Sequence, residues 1–245
     1  MSHLSLSISL QILKEVIPDG LEYGKNLLVE FQPDSIWYET SITIAAQALK
    51  DGIRTDYHTF QRPPKDVRVA LTKLGVDLTR LEEEDLLRVI DSCTVQTGLG
   101  LPEKADQYTA QQTLKLSEWS ISVAQDMKGG IPDADKRRFH IDDNTGVLLQ
   151  YNEERAFIDY WRTRIIPYVR AREGVSLNTL VAGVASDSFY KQFEALCDGI
   201  IDFKSEEKGG EIEHYFRVRM MRGRHHSSQW RRLKLLENGE VALAE

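Results

Sequence analysis

Two acids side by side, Asp142 and Asp143, close the short run Arg138-Phe139-His140-Ile141. Carboxylates at the end of a strand can hold Mg2+ through water, and such an ion is bound tightly only when a polyphosphate shares it. The polyphosphate needs different chemistry: glycines whose N–H groups close around it, and a lysine that reaches its terminal oxygens. The frame for such a loop is present. Asn26–Phe31 reads as a strand, Gln32-Pro33-Asp34-Ser35-Ile36-Trp37-Tyr38 as a turn, and Glu39–Lys50 as a helix. The chemistry is missing. No glycine lies between Gly24 and Gly52 and no cation between Lys25 and Lys50, Pro33 has no N–H to offer, and Asp34 adds negative charge.

The remaining reactive residues favour structural readings. Asp142 and Asp143 are read first as strand-end acids capping the following helix, ahead of a weak Mg2+ site. His140, His225 and His226 have no HxxxH or CxxC partner and are expected to be strand or solvated histidines. Trp37 and Tyr38 could stack on a planar ligand, but filling the space of the absent phosphates is the preferred role. Trp161 and Trp119 sit at helical spacings and read as core. Cys93 and Cys197 are far apart and read as reduced core thiols.

The elements that must position these residues alternate along the chain. After the first strand and helix come a second strand at 54–60, a helix opened by Pro63-Pro64 and closed by Gly75, and a third strand at 86–91. Residues 95–113 read as a mobile loop and Ser117–Lys128 as a helix. Arg138–Asp143 is a strand, Glu153–Arg172 the longest helix, and Val175–Val181 and Gly199–Phe203 are strands. Glu206–Gly210 reads as a charged turn, followed by an alternating strand at 214–220. Another strand is expected at 230–236, with Asn238-Gly239 as a turn. Strands alternating with helices give a mostly parallel sheet in an α/β domain spanning 1–245.

Composition narrows the task. A 245-residue chain with 41% hydrophobic and 28% charged residues can bury a full α/β core. The net charge of −7 disfavours nucleic acid as the main partner. The local basic cluster of Arg217, Arg219, Arg222, Arg224, Arg231, Arg232 and Lys234 alternates beside Glu211, Glu213 and Glu237, as a solvated sheet face would. No membrane span is expected, and the absence of a secretory start at Met1–Leu10 leads to the expectation of a cytoplasmic protein.

In order and spacing, several segments resemble the KaiC-like branch of the RecA-type ATPases. Pro18-Asp19-Gly20-Leu21-Glu22-Tyr23-Gly24 is similar to that family's GGL-x-x-G lead-in, and Leu86–Ser92 to its IDxS strand. Leu196-Cys197-Asp198-Gly199-Ile200-Ile201 resembles its LADGVI segment, Met220-Met221-Arg222-Gly223-Arg224-His225-His226 its KMRGxxH segment, and Glu237-Asn238-Gly239 its closing turn. The resemblance implies a RecA-like twisted sheet, mostly parallel, with helices on both faces and a C-terminal antiparallel hairpin.

It also implies where the ATPase equipment belongs. The loop lysine falls at Trp37 and the following Ser/Thr at Tyr38, and the paired glutamates after the second strand at Gln61 and Arg62. The lysine of KMRG falls at Met220, whereas Arg222 and the Walker B acid Asp142 remain. A glutamate there activates the attacking water; Gln61 accepts no proton and Arg62 has the opposite charge. The expectation is a non-hydrolysing regulatory or scaffold protein of a signalling assembly, with a degenerate nucleotide site at Trp37, Tyr38, Gln61, Arg62 and Asp142. No catalytic residue, metal or cofactor is expected, and its partner would be a copy of itself or a related KaiC-like subunit met through Met220, Arg222 and Gly223. Two alternatives are a switch ATPase that binds ATP and magnesium weakly through an unusual loop, and an accessory RecA-like recombination protein. Each meets its own obstacle, the missing lysine for the first and the acidic balance for the second.

Overall fold

The computed structural model describes residues 11–93 and 137–244. The expected loop at 95–113, the helix at Ser117–Lys128 and Trp119 lie outside the described residues. A single nine-stranded sheet runs through the described chain in the order β3-β2-β4-β5-β1-β6-β7-β8-β9. Its strands are β1 Lys25–Phe31, β2 Thr55–Thr59, β3 Leu87–Asp91, β4 Phe139–Asp143, β5 Val175–Val181, β6 Gly199–Lys208, β7 Glu211–Met221, β8 Arg231–Leu235 and β9 Val241–Leu243. The first six pair in parallel, and β7, β8 and β9 are added antiparallel. The sheet is thus the mostly parallel one with a C-terminal antiparallel extension that the alternation of elements predicts.

Every residue of β2 and β3 is buried, as strands covered on both faces must be. On one face Leu27, Val29, Ile141 and Leu177 pack against helix α2, Trp37–Lys50, and helix α3, Pro64–Lys73. On the other, Leu28 and Leu180 meet an aromatic group in which Phe157 stacks on Trp161 with ring centroids 4.1 Å apart. Alternate residues of β1 therefore feed two cores, which places this strand and the loop that follows it at the centre of the molecule.

Three local features depart from the sequence reading. The long helix at Glu153–Arg172 is helix Glu154–Tyr160, a π-turn at Trp161–Ile165 and helix Ile166–Ala171. Pro167 has no N–H for the carbonyl of Thr163, and the widened turn absorbs its ring. The charged stretch 206–208 is strand, because Glu206 and Lys208 pair across to Glu213 and Glu211; only Gly209 and Gly210, at φ +62° and +85°, make the turn. Helix α4 at Leu78–Glu83, α5 at Thr145–Tyr151 and a helix at Asp187–Leu196 are additions, the last capped by Ser186 Oγ, which accepts the Phe189 N–H at 3.2 Å.

Candidate functional site

The turn after β1 is tied to strand β6. Gln32 N–H donates to Phe203 O at 3.1 Å, and Gln32 Oε1 accepts the Ser205 N–H at 2.8 Å. Ser205 Oγ donates to Asp34 O at 3.1 Å, while the Ser35 N–H turns back to Gln32 O at 3.0 Å. A phosphate cradle needs successive N–H groups aimed inward. Here the Gln32 and Ser35 amides bond the protein itself, and Pro33 has none. Trp37 opens α2 with its ring 5% exposed, edge-on to Phe203 at 4.9 Å and tilted to Phe31 at 6.1 Å. Its ring is a core residue.

Beside this turn lies a cleft of about 280 Å3 bordered by Trp37, Tyr38, Tyr57, Gln61, Arg62 and Asp143. The Arg62 guanidinium lies over the Tyr38 ring, 3.9 Å from its centroid. Tyr57 Oη is 2.7 Å from Ser41 Oγ, and Ser41 Oγ donates onward to Tyr38 O at 2.7 Å. Burial pushes the Asp143 carboxyl up, against the backbone N–H groups of Gln61, Phe60, Gly146 and Thr145 that bond it. The Gln61 bond is 3.1 Å long. Asp143 therefore fastens the turn after β2 and the start of α5, the capping role read from its place at a strand end.

Four of the expected site residues, Trp37, Tyr38, Gln61 and Arg62, meet at this cleft; Asp142 does not. Successive strand residues point to opposite faces, so Asp142 lies behind the sheet from Asp143. There it accepts a hydrogen bond from Ser176 Oγ at 3.0 Å and faces His58 Nδ1 at 3.8 Å. Tyr57 and Ser41 also line the cleft, and Phe203 and Ser205 of β6 hold the turn beside it; no motif in the chain marked them because they come from three separate elements.

Behind the sheet a buried polar network begins at Asp142. His58 Nε2 is 2.7 Å from Ser92 Oγ, so serine, histidine and acid follow in the order of a nucleophile, its base and an orienting carboxylate. The details decide against that chemistry. Asp142 is too far from Nδ1 for a hydrogen bond, and the amides that would hold an oxyanion are engaged, Ser92 N–H by Thr59 O and Cys93 N–H by Asp91 Oδ1. Burial drives the His58 imidazole towards neutrality, outweighing the pull of Asp142. Next along β4, burial opposes ionisation of both His140 and Asp56. Their mutual contact at 3.3 Å raises His140, and Arg138 and His140 hold the Asp56 carboxyl well below the usual range. Burial lifts Asp142 above the ordinary carboxylate value. His140 is a strand histidine paired with an acid, and no group of three or more metal-binding side chains occurs among the described residues.

A model of the KaiC ATPase family matches residues 10–243. The chain belongs to the KaiC ATPase family. A KaiC-like protein from the hyperthermophilic archaeon Pyrococcus horikoshii OT3 shares its fold at a TM-score of 0.68 and 16% identity, covering 95% of this chain and 94% of the other. An uncharacterized protein from Pyrococcus horikoshii, solved in complex with an unknown peptide, superposes at a TM-score of 0.74 and 14% identity over 98% and 99% of the two chains. None of the curated proteins matches it. Among the described residues no helix is long and apolar enough to cross a membrane.

Met220 is half-buried on β7 opposite Ile200, and Gly223 turns the chain at φ +73°. Arg222 is exposed and donates to Ala195 O at 3.0 Å. The basic cluster is largely paired within the chain: Arg217 and Arg219 with Asp202 at 2.7 and 3.1 Å, Arg224 with Glu22 at 3.4 Å, and Arg232 with Glu213 at 2.7 Å. That is the solvated sheet face expected from its alternation, with little free charge for a phosphate backbone.

Proposed function

We propose that this chain is a KaiC-family protein that does not hydrolyse nucleotide and serves as a regulatory or scaffold subunit of a cytoplasmic signalling assembly. The observation that carries the reading is the seat of Trp37. The position at which the family resemblance places the phosphate-reaching lysine holds a ring packed between Phe31 and Phe203. The neighbouring turn is fastened to β6 by Gln32 and Asp34 instead of opening its amides to an anion. At the base position, Gln61 carries no proton-accepting carboxylate, and Arg62 rests on Tyr38.

The cleft does not suit a magnesium–triphosphate pair. Asp143, the acid that borders it, is occupied by backbone N–H groups, and Asp142 faces the other side of the sheet. A subunit contact through Met220, Arg222 and Gly223 is the remaining surface that the family resemblance recommends, with a second copy or a related subunit as partner. A phosphate-release assay tests the enzymatic half of the reading. Release at the buffer rate with Mg2+ and ATP is expected; reproducible Mg2+-dependent turnover above it would overturn it.

A further inference from the structure

The hydrogen-bonding sense of the cleft is opposite to that of a phosphate site. Ser41 has one hydrogen, and it goes to the carbonyl of Tyr38 at 2.7 Å. The 2.7 Å contact between Ser41 Oγ and Tyr57 Oη must then be made by the tyrosine's hydrogen, which leaves the Tyr57 oxygen with only lone pairs to offer. Thr59 Oγ1 likewise donates to Arg62 O at 2.6 Å and keeps only acceptor capacity. Glu39 borders the space as a second acid beside Asp143, whose own carboxyl is taken up by backbone N–H groups. Against these acceptors stand the buried, unbonded hydroxyl of Ser35, the hydroxyl of Thr179, the ring of His58, the side-chain amide of Gln61 and the single guanidinium of Arg62, which lies over Tyr38. Two carboxylates and one cation line a space whose walls include the rings of Phe31, Trp37, Tyr38 and Tyr57. An anion is disfavoured there by the balance of charge.

We propose that the cleft binds a small planar group rich in N–H donors, neutral or singly positive, of the amidine or aminoheterocycle class, in place of a phosphate. This rests on the reading that the triphosphate site is lost. Aromatic walls supply apolar and stacking contact for a flat ring, and Tyr57 Oη, Thr59 Oγ1 and the Glu39 carboxylate receive its N–H groups. A volume of about 280 Å3 limits the occupant to a one- or two-ring molecule or the planar tip of a larger one.

Benzamidine and benzoate are matched in shape and opposite in charge, and both can be titrated into the full chain by ligand-observed NMR or calorimetry. Benzamidine is expected to saturate with a dissociation constant of about 1 mM or below, the range open to so small a molecule, and benzoate to show no saturation. Tyr57→Phe should weaken benzamidine at least about fivefold. Arg62→Gln, at an exposed position that leaves the fold intact, should leave its affinity unchanged or improve it, because the one positive charge at the cleft is removed. Equal or tighter benzoate binding, or no saturable benzamidine binding up to its solubility, would overturn the proposal. In the second case, a chain that also ignores Mg2+ and ATP leaves the loss of the triphosphate site standing. Saturable ATP binding that Tyr57→Phe or Trp37→Ala alters would sink both.

Discussion

At the scale of single residues, the site is governed by which groups are already engaged. Trp37 is held by rings, Gln32 and Ser35 by backbone, and Asp143 by amides. The same rule explains an acid elsewhere on the sheet. Burial pushes the Glu30 carboxyl up to about 7, although Arg219 lies 2.8 Å away, because Glu194 and Asp202 share that arginine. A carboxyl whose pKa is raised on folding contributes stability in full below its unfolded value and loses it as pH rises through the folded value. The chain should therefore lose stability between about pH 5 and pH 8 from this group, by roughly 1–2 kcal/mol after allowing for partial exposure. Glu30→Gln, followed by urea denaturation across that range, should flatten the loss. An unchanged pH profile in the variant would assign it elsewhere.

At the scale of elements, the alternation of apolar strands and amphipathic helices was legible, and so was the frame around the turn after β1. Less legible were elements defined by a tertiary neighbour. Helix α5 is short, and its start is fixed by Asp143 and by the packing of Gly146 on Phe60, neither of which a periodic pattern reveals. The widened turn before Pro167 and the length of β6 past Glu206 depended on partners that adjacent residues do not specify. For the site, the pairing of Trp37 with Phe203 joins positions far apart in the chain, and only the parity of β4 tells Asp143 from Asp142. A Cβ added at Gly146 would come within 2.0 Å of Phe60 Cδ1, so Gly146→Ala must displace a buried ring. We expect a loss of about 2–3 kcal/mol and a disturbed α5, measured by equilibrium unfolding. A loss below about 0.5 kcal/mol would mean that Phe60 can move freely, and that α5 is not fixed by this contact.

At the scale of the whole molecule, the chain carries a KaiC-family sheet, and the proposal is that the chemistry at the end of its first strand has been replaced by core packing. If the C-terminal segment mediates contact with a second copy, light scattering at high concentration should report a dimer or larger species. Arg222→Glu should weaken it by at least about fivefold, since a rim charge that becomes repulsive costs on the order of 1 kcal/mol. A strict monomer that also fails to join a KaiC-like subunit would remove this surface from the account. The proposed loss of the triphosphate site is tested most directly by thermal unfolding with and without millimolar Mg2+ and ATP. A ligand at about 100 times its dissociation constant adds roughly 2.7 kcal/mol, which moves the midpoint of a domain this size by several degrees. The account predicts a midpoint unchanged relative to salt of equal ionic strength. A reproducible rise of several degrees with ATP alone would contradict it.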